Sequence, residues 1–133
     1  MKNAIGQPAL LAACLLVSIG VRAQDHPRTL DIYWNDVEGG GATLIVTQAG
    51  ETLLIDSGNP GARDAGRIYK TTQIAGLKKI DHYITTHFHV DHFGGAAELS
   101  KLIPIGTVWD RGIPNTDPDD RPNSTNWLNV IKP

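Results

Sequence analysis

The sequence predicts an α/β fold: a mixed, mainly antiparallel sheet with flanking helices. Three observations carry that expectation. Five short runs are β-branched and apolar, or alternate with the two-residue period of a strand. One longer segment, Asp64 to Ile74, places Ala65, Ile68 and Thr72 at helical spacing. Glycine-rich or proline-bearing breaks separate these segments.

Leu30 to Trp34 (L-D-I-Y-W) alternates Leu30, Ile32 and Trp34 against Asp31 and Tyr33, which reads as a half-buried strand. Gly39-Gly40-Gly41 then frees the backbone for a tight connection. Ala42 to Thr47 and Thr52 to Asp56 are two further strands, and Gln48-Ala49-Gly50-Glu51 between them predicts an antiparallel hairpin. Ser57-Gly58-Asn59-Pro60-Gly61 ends the third strand. The Asp64–Ile74 helix follows, with Gly76 placed for a helix C-terminus. Ile80 to Thr85 is the fourth strand, Gly95 to Leu102 a short helix, and Ile105 to Trp109 the fifth strand. From Gly112 to Thr125 proline, aspartate and asparagine dominate, which predicts a loop, and Asn126 to Ile131 opens a helix with Ser124 or Thr125 as its cap.

The first 23 residues stand apart. Lys2 supplies a positive charge, Ala9 to Val21 is apolar except for Ser18 and Gly20, and Val21-Arg22-Ala23 gives a small-residue cleavage pattern before Gln24. This is the pattern of a secretory signal peptide, too short for a membrane span. Leu11-Ala12-Ala13-Cys14 also matches a lipoprotein box, but the apolar run continues past Cys14, which favours cleavage after Ala23. The protein is therefore expected to be exported, periplasmic or secreted. Residues 24–111 then form one small domain and 112–133 a loop and C-terminal segment.

Cys14 is the only cysteine, so a mature chain starting at Gln24 has no disulfide, thiolate ligand or cysteine nucleophile. Of twelve basic residues Lys2 and Arg22 leave with the signal, so ten remain against fourteen acidic ones, a balance of −4. That balance gives no support for nucleic-acid or anionic-membrane steering.

The chemistry concentrates in Thr86 to Gly95, T-H-F-H-V-D-H-F-G-G. His87 and His89 lie two apart just past a strand end, so in extended geometry both imidazoles face one ion. Zinc takes neutral histidine nitrogens at about 2.0–2.1 Å and, in a catalytic site, keeps one position open for water. Asp91 and His92 continue the cluster and suit a second ion nearby. A chance histidine-rich turn is the bland alternative, and it is a weak one. His82, alone inside a strand, reads as structural or exposed, and His26 carries no signal.

The motif His87-Phe88-His89-Val90-Asp91-His92 resembles that of the metallo-β-lactamase superfamily. Leu54-Ile55-Asp56-Ser57-Gly58 resembles the same family's strand-end aspartate motif. Asp36-Val37-Glu38-Gly39-Gly40-Gly41-Ala42 is similar to the start of the hydrolase domains linked to bacterial competence channels, although it departs from their D-V-G-Q-G-D-A pattern. The resemblance covers about Leu30 to Arg111. It implies that His87 and His89 bind a first metal, and that Asp91 and His92 bind a second. Asp91 would also orient a bridging hydroxide, the catalytic role, and Asp56 would brace the ligand loop from behind. A strand-terminal turn former is the plainer reading of Asp56.

The family fold is an αββα sandwich of two similar halves, and the resemblance implies that this chain is the N-terminal one. The later ligands of the family have no counterpart here, because no histidine follows His92. The implied function is a metal-dependent hydrolase using metal-bound hydroxide, here an incomplete fragment. The cofactor would be zinc, two ions in the intact protein, with manganese or iron as alternatives. The substrate would be a small molecule or a phosphodiester, with lactams, thioesters and lactones all open. A half-sandwich would also leave an apolar face prone to self-association. The competing reading is a non-catalytic metal-binding or interaction module.

Overall fold

The computed structural model describes residues 29–112 and 121–131. The expected signal peptide, Cys14 and His26 lie outside them. The elements run β1 (Asp31–Trp34), β2 (Thr43–Val46), β3 (Thr52–Ile55), α1 (Ala62–Ile74), β4 (Ile80–Ile84), α2 (Val90–Phe93), α3 (Ala96–Leu102), β5 (Ile105–Trp109) and α4 (Arg121–Ile131).

The strands form one sheet in the order β1-β2-β3-β4-β5. The β1–β2 and β2–β3 pairs are antiparallel, and the β3–β4 and β4–β5 pairs are parallel, so the sheet is mixed as expected. The hairpin between β2 and β3 closes through Gly50 N–H donating to the Thr47 carbonyl at 2.8 Å and Thr47 N–H donating to Glu51 at 2.8 Å. Helices must supply the parallel connections, because two parallel strands cannot be joined by a tight turn. Helix α1 carries the chain from β3 to β4, and α2 with α3 carry it from β4 to β5.

One face of the sheet is the core. Leu44, Leu54 and Tyr83 align across β2, β3 and β4, and they pack with Ala65 and Ile68 of α1, Phe93 of α2 and Leu99 of α3. The helix face predicted for α1 is the buried one, since Ala65, Ile68 and Thr72 are all inside.

Two expectations change. The alternation of β1 is present, but its apolar positions face away from the helices: Trp34 is 79% exposed and Ile32 is 42% exposed. Register decides this. Tyr33 pairs with the fully buried Leu44, so Tyr33 shares the core side and its neighbours must take the other. The uncovered side carries the row Trp34, Thr43, Ile55, Ile84, Trp109 and the row Ile32, Ile45, Leu53, His82, Thr107.

The second change concerns the segment expected to remain a loop to Thr125. Helix α4 begins at Arg121 rather than Asn126, with Pro122 in the first turn, where no intrahelical N–H is required. Trp127 explains why a poor helix-forming sequence is helical. Its indole is fully buried, with ring centroids 6.1 Å from Tyr83, 6.2 Å from Phe88 and 5.7 Å from Phe93. Its Nε1–H donates to Asp110 at 2.8 Å. Packing of one large aromatic outweighs local propensity here. Among the described residues no helix is long and apolar enough to cross a membrane.

Candidate metal centre

The carboxyl ends of the parallel strands β3 and β4 meet at one edge of the sheet, and the histidine segment leaves β4 there. Asp56 is the first residue past β3. Its backbone takes φ 59°, the left-handed region that aspartate tolerates better than most side chains, and its N–H donates to the Ile84 carbonyl at 2.8 Å. This turn aims a buried carboxylate at the histidine segment.

Three donors converge on that carboxylate. Thr86 N–H reaches Oδ1 at 2.8 Å, while the Thr86 hydroxyl and His92 Nδ1 each reach Oδ2 at 2.8 Å. With Nδ1 engaged, the free nitrogen of His92 is Nε2, and it lies 3.7 Å from Asp91 Oδ2. The His87 ring lies tilted by 53° against His92, 3.9 Å between centroids, and meets the edge of His89 at 4.7 Å. Burial first, then the neighbouring His92 and His89 rings, push His87 below the ordinary histidine pKa. It is therefore neutral at pH 7 and keeps a nitrogen lone pair. His89 is exposed and caps the short helix α2, whose His92 N–H donates to its carbonyl at 3.0 Å.

The surrounding loops are stitched to this segment by backbone contacts. Ser57 N–H donates to the His92 carbonyl at 2.6 Å, Gly58 N–H to Gly41 at 3.0 Å and Gly95 N–H to Gly58 at 3.3 Å. Such close approach requires glycine. A Cβ on Gly40 would overlap the Asp91 carbonyl, and one on Gly95 would overlap the Ser57 carbonyl. Beneath them, Ser57 Oγ, Tyr83 Oη and Thr85 Oγ1 form a buried chain, 2.9 Å and 3.1 Å long at its two links. Burial pushes the Tyr83 phenol up to about 12, so it stays neutral and serves as a hydrogen-bonding strut.

Sequence reasoning did not single out Thr86 or Asp64. The Asp64 carboxylate is buried in the first turn of α1 and accepts from Asn59 N–H at 2.8 Å and Arg63 Nε at 2.7 Å. Burial raises its pKa, but Arg63 and the Asn59 donors outweigh that and hold it below the usual value. It fixes the 57–61 turn behind the site. A polar residue three positions after an Asn-Pro-Gly break was the available signal. His82 is accounted for elsewhere: Trp109 Nε1–H donates to its Nδ1 at 3.2 Å, and its Nε2 contacts Glu51 at 3.1 Å. Asp110 is engaged by Trp127.

The donor types suit a first-row divalent ion, and the Asp91–His92 pair, 3.7 Å from Oδ2 to Nε2, has near ligand-like spacing. Two nitrogen or oxygen donors at about 2.0–2.1 Å from a tetrahedral zinc lie roughly 3.4 Å apart, close to the Asp91–His92 separation. Among the described residues, however, no three such side chains converge into a set that holds an ion on its own. The fit is that of a partial ligand set. A cavity of about 600 Å³ lies at the other end of the sheet, beside Thr52, Gly76, Lys79 and Asp81, and none of the clustered histidines lines it.

Comparison with known proteins gives a consistent affiliation. The family model for the metallo-β-lactamase superfamily matches residues 36–131. An atrochrysone carboxyl ACP thioesterase of Cryptosporiopsis is 38% identical over 65 residues, 49% of this chain and 20% of that protein. A metal-dependent hydrolase of Polynucleobacter asymbioticus is 32% identical over 105 residues, 75% of this chain and 35% of its own length. Competence protein ComA of Neisseria gonorrhoeae is 32% identical over 71 residues, 53% of this chain and 10% of that one. The chain thus spans about a third or less of these relatives.

Proposed function

Because the chain belongs to the metallo-β-lactamase superfamily, we propose that it is the metal-binding portion of a metal-dependent hydrolase, with His87, His89, Asp91 and His92 as ligands. The observation that carries this reading is the Asp56–His92 hydrogen bond, 2.8 Å from Oδ2 to Nδ1. It orients an imidazole so that its remaining nitrogen lies beside the Asp91 carboxylate, as metal ligands are commonly held from behind.

One or two divalent ions, zinc with manganese or iron as alternatives, supply Lewis acidity and acidify a water when bound. The protein's own groups do the positioning. His87 and His89 would hold one ion, and Asp91 with His92 would hold a second. Asp91, whose side chain is 32% accessible, would orient the attacking water and take up its proton. The electrophile is a carbonyl or phosphorus centre. The names of the relatives bring thioesters forward among carbonyl substrates.

The experiment is to load the chain with zinc or manganese and assay thioester, lactam and phosphodiester substrates beside a His89→Ala control. Slow turnover that requires metal and vanishes in the control is expected, because the described donors form only a partial set. Turnover that survives both chelation and the substitution overturns the proposal. A second proposal concerns address: residues 1–23 direct export and are removed after Ala23. Mass spectrometry of the mature N-terminus checks it, and an acylated Cys14 would contradict it.

A further inference from the structure

Asp56 contacts one clustered imidazole directly and a second one through a relay. The relay is Thr86, whose hydroxyl lies 2.8 Å from Asp56 Oδ2 and 3.1 Å from His87 Nδ1. A hydroxyl has a single proton to donate. The carboxylate oxygen can only accept, so the Thr86 proton is directed to Asp56. Toward His87 the hydroxyl therefore presents a lone pair, and His87 Nδ1 must carry the proton. The same carboxylate oxygen accepts His92 Nδ1–H at 2.8 Å. Both imidazoles are thereby set in the same tautomer, protonated at Nδ1 with the Nε2 lone pair open.

We propose that Thr86 is a positioning residue whose hydroxyl extends the control of Asp56 from His92 to His87, fixing His87 with its proton on Nδ1 and its Nε2 free to bind a metal. The backbone supports this arrangement independently, since Thr86 N–H is anchored to Asp56 Oδ1 at 2.8 Å and holds the hydroxyl in place. The relay concerns the site proposed above. Tautomer assignment, however, needs no metal, so its failure and the failure of the metal-binding reading are separate results.

The test uses the full 133-residue chain, labelled with 15N in histidine and kept metal-free at mildly alkaline pH. Long-range proton–nitrogen correlation spectra distinguish a protonated ring nitrogen from a bare one. Both His87 and His92 should show a protonated Nδ1 and a bare Nε2. In Thr86→Val the His87 signals should move toward the opposite or a mixed tautomer while His92 keeps its own, and Thr86→Ser should restore the original pattern. Zinc affinity, read in parallel by titration, should fall on the order of 10-fold in Thr86→Val and recover in Thr86→Ser. If His87 carries its proton on Nε2 in the unchanged chain, the relay is absent, and that readout requires no variant to fold. An unchanged His87 tautomer in a folded Thr86→Val would equally overturn the proposal.

Discussion

Asp56 Oδ2 and His92 Nδ1 lie 2.8 Å apart and join the end of β3 to the histidine segment that leaves β4. The contact spans 36 positions in sequence. It forms because β3 and β4 are parallel neighbours whose carboxyl ends meet at one edge. Asp56 is also 5% exposed, so its carboxylate depends on these protein donors rather than on water.

Replacing Asp56 with alanine should therefore act on stability and on metal binding together. Three donors lose their acceptor, a change costing about 1–3 kcal/mol. Zinc affinity should fall roughly 10- to 100-fold as His92 loses its orientation. Asp56→Asn keeps a side chain that tolerates the left-handed backbone, and should fall between the two. Denaturant unfolding and zinc titration of both variants check this.

Trp127→Ala should destabilise the fold by about 3–5 kcal/mol, the usual range for emptying a large aromatic site. Phe88, Phe93 and Tyr83 line the space it would vacate. Trp127→Phe should cost less, retaining most of the packing while losing the hydrogen bond to Asp110. Equal midpoints for the alanine variant and the unchanged chain would show that α4 is not docked.

Asp81 predicts a pH dependence. The Lys79 ammonium first, then the Thr52 hydroxyl and N–H, hold its carboxyl down at about 2. The folded value lies below the ordinary carboxylate value of about 3.9. Its contribution is thus fully present above that value and lost as pH falls toward 2. The stability gap between the unchanged chain and Asp81→Asn should narrow across that acid window. A gap independent of pH there would contradict the assignment.

The uncovered sheet face should make the chain self-associate. Trp34 and Trp109 lie at the two ends of one cross-strand row, 79% and 53% exposed, with Ile55 and Ile84 between them. Light scattering across a concentration series should show larger species, and Trp34→Lys with Trp109→Lys should reduce them. A chain that stays monomeric at every concentration would show that this face needs no cover.

Much of this architecture is legible in the sequence because its signals are local. The β-branched runs, the hairpin at Gly50 and the inner face of α1 follow from period and turn chemistry. The histidine motif is equally local, lying within a few residues. What is not legible depends on partners distant in sequence. The orientation of β1 is set by the pairing of Tyr33 with Leu44 rather than by its own alternation. The helix expected at Asn126 starts earlier, at Arg121, and the docking of Trp127 on Tyr83, Phe88 and Phe93 that supports it is not revealed by local propensity. Thr86 looks like an ordinary strand-end threonine until the turn at Asp56 brings a carboxylate to its hydroxyl. Gly40 reads as part of a tight connection, and nothing local shows that the Asp91 carbonyl packs against it.

Zinc titration calorimetry tests most directly whether the 87–92 segment is a metal-binding centre. The unchanged chain should bind zinc, with modest affinity because the described donors form a partial set. The double variant His87→Ala with His89→Ala should lose most of that heat while its unfolding midpoint stays close to that of the unchanged chain. Undiminished zinc binding in the folded double variant would contradict the account and place the ligands elsewhere.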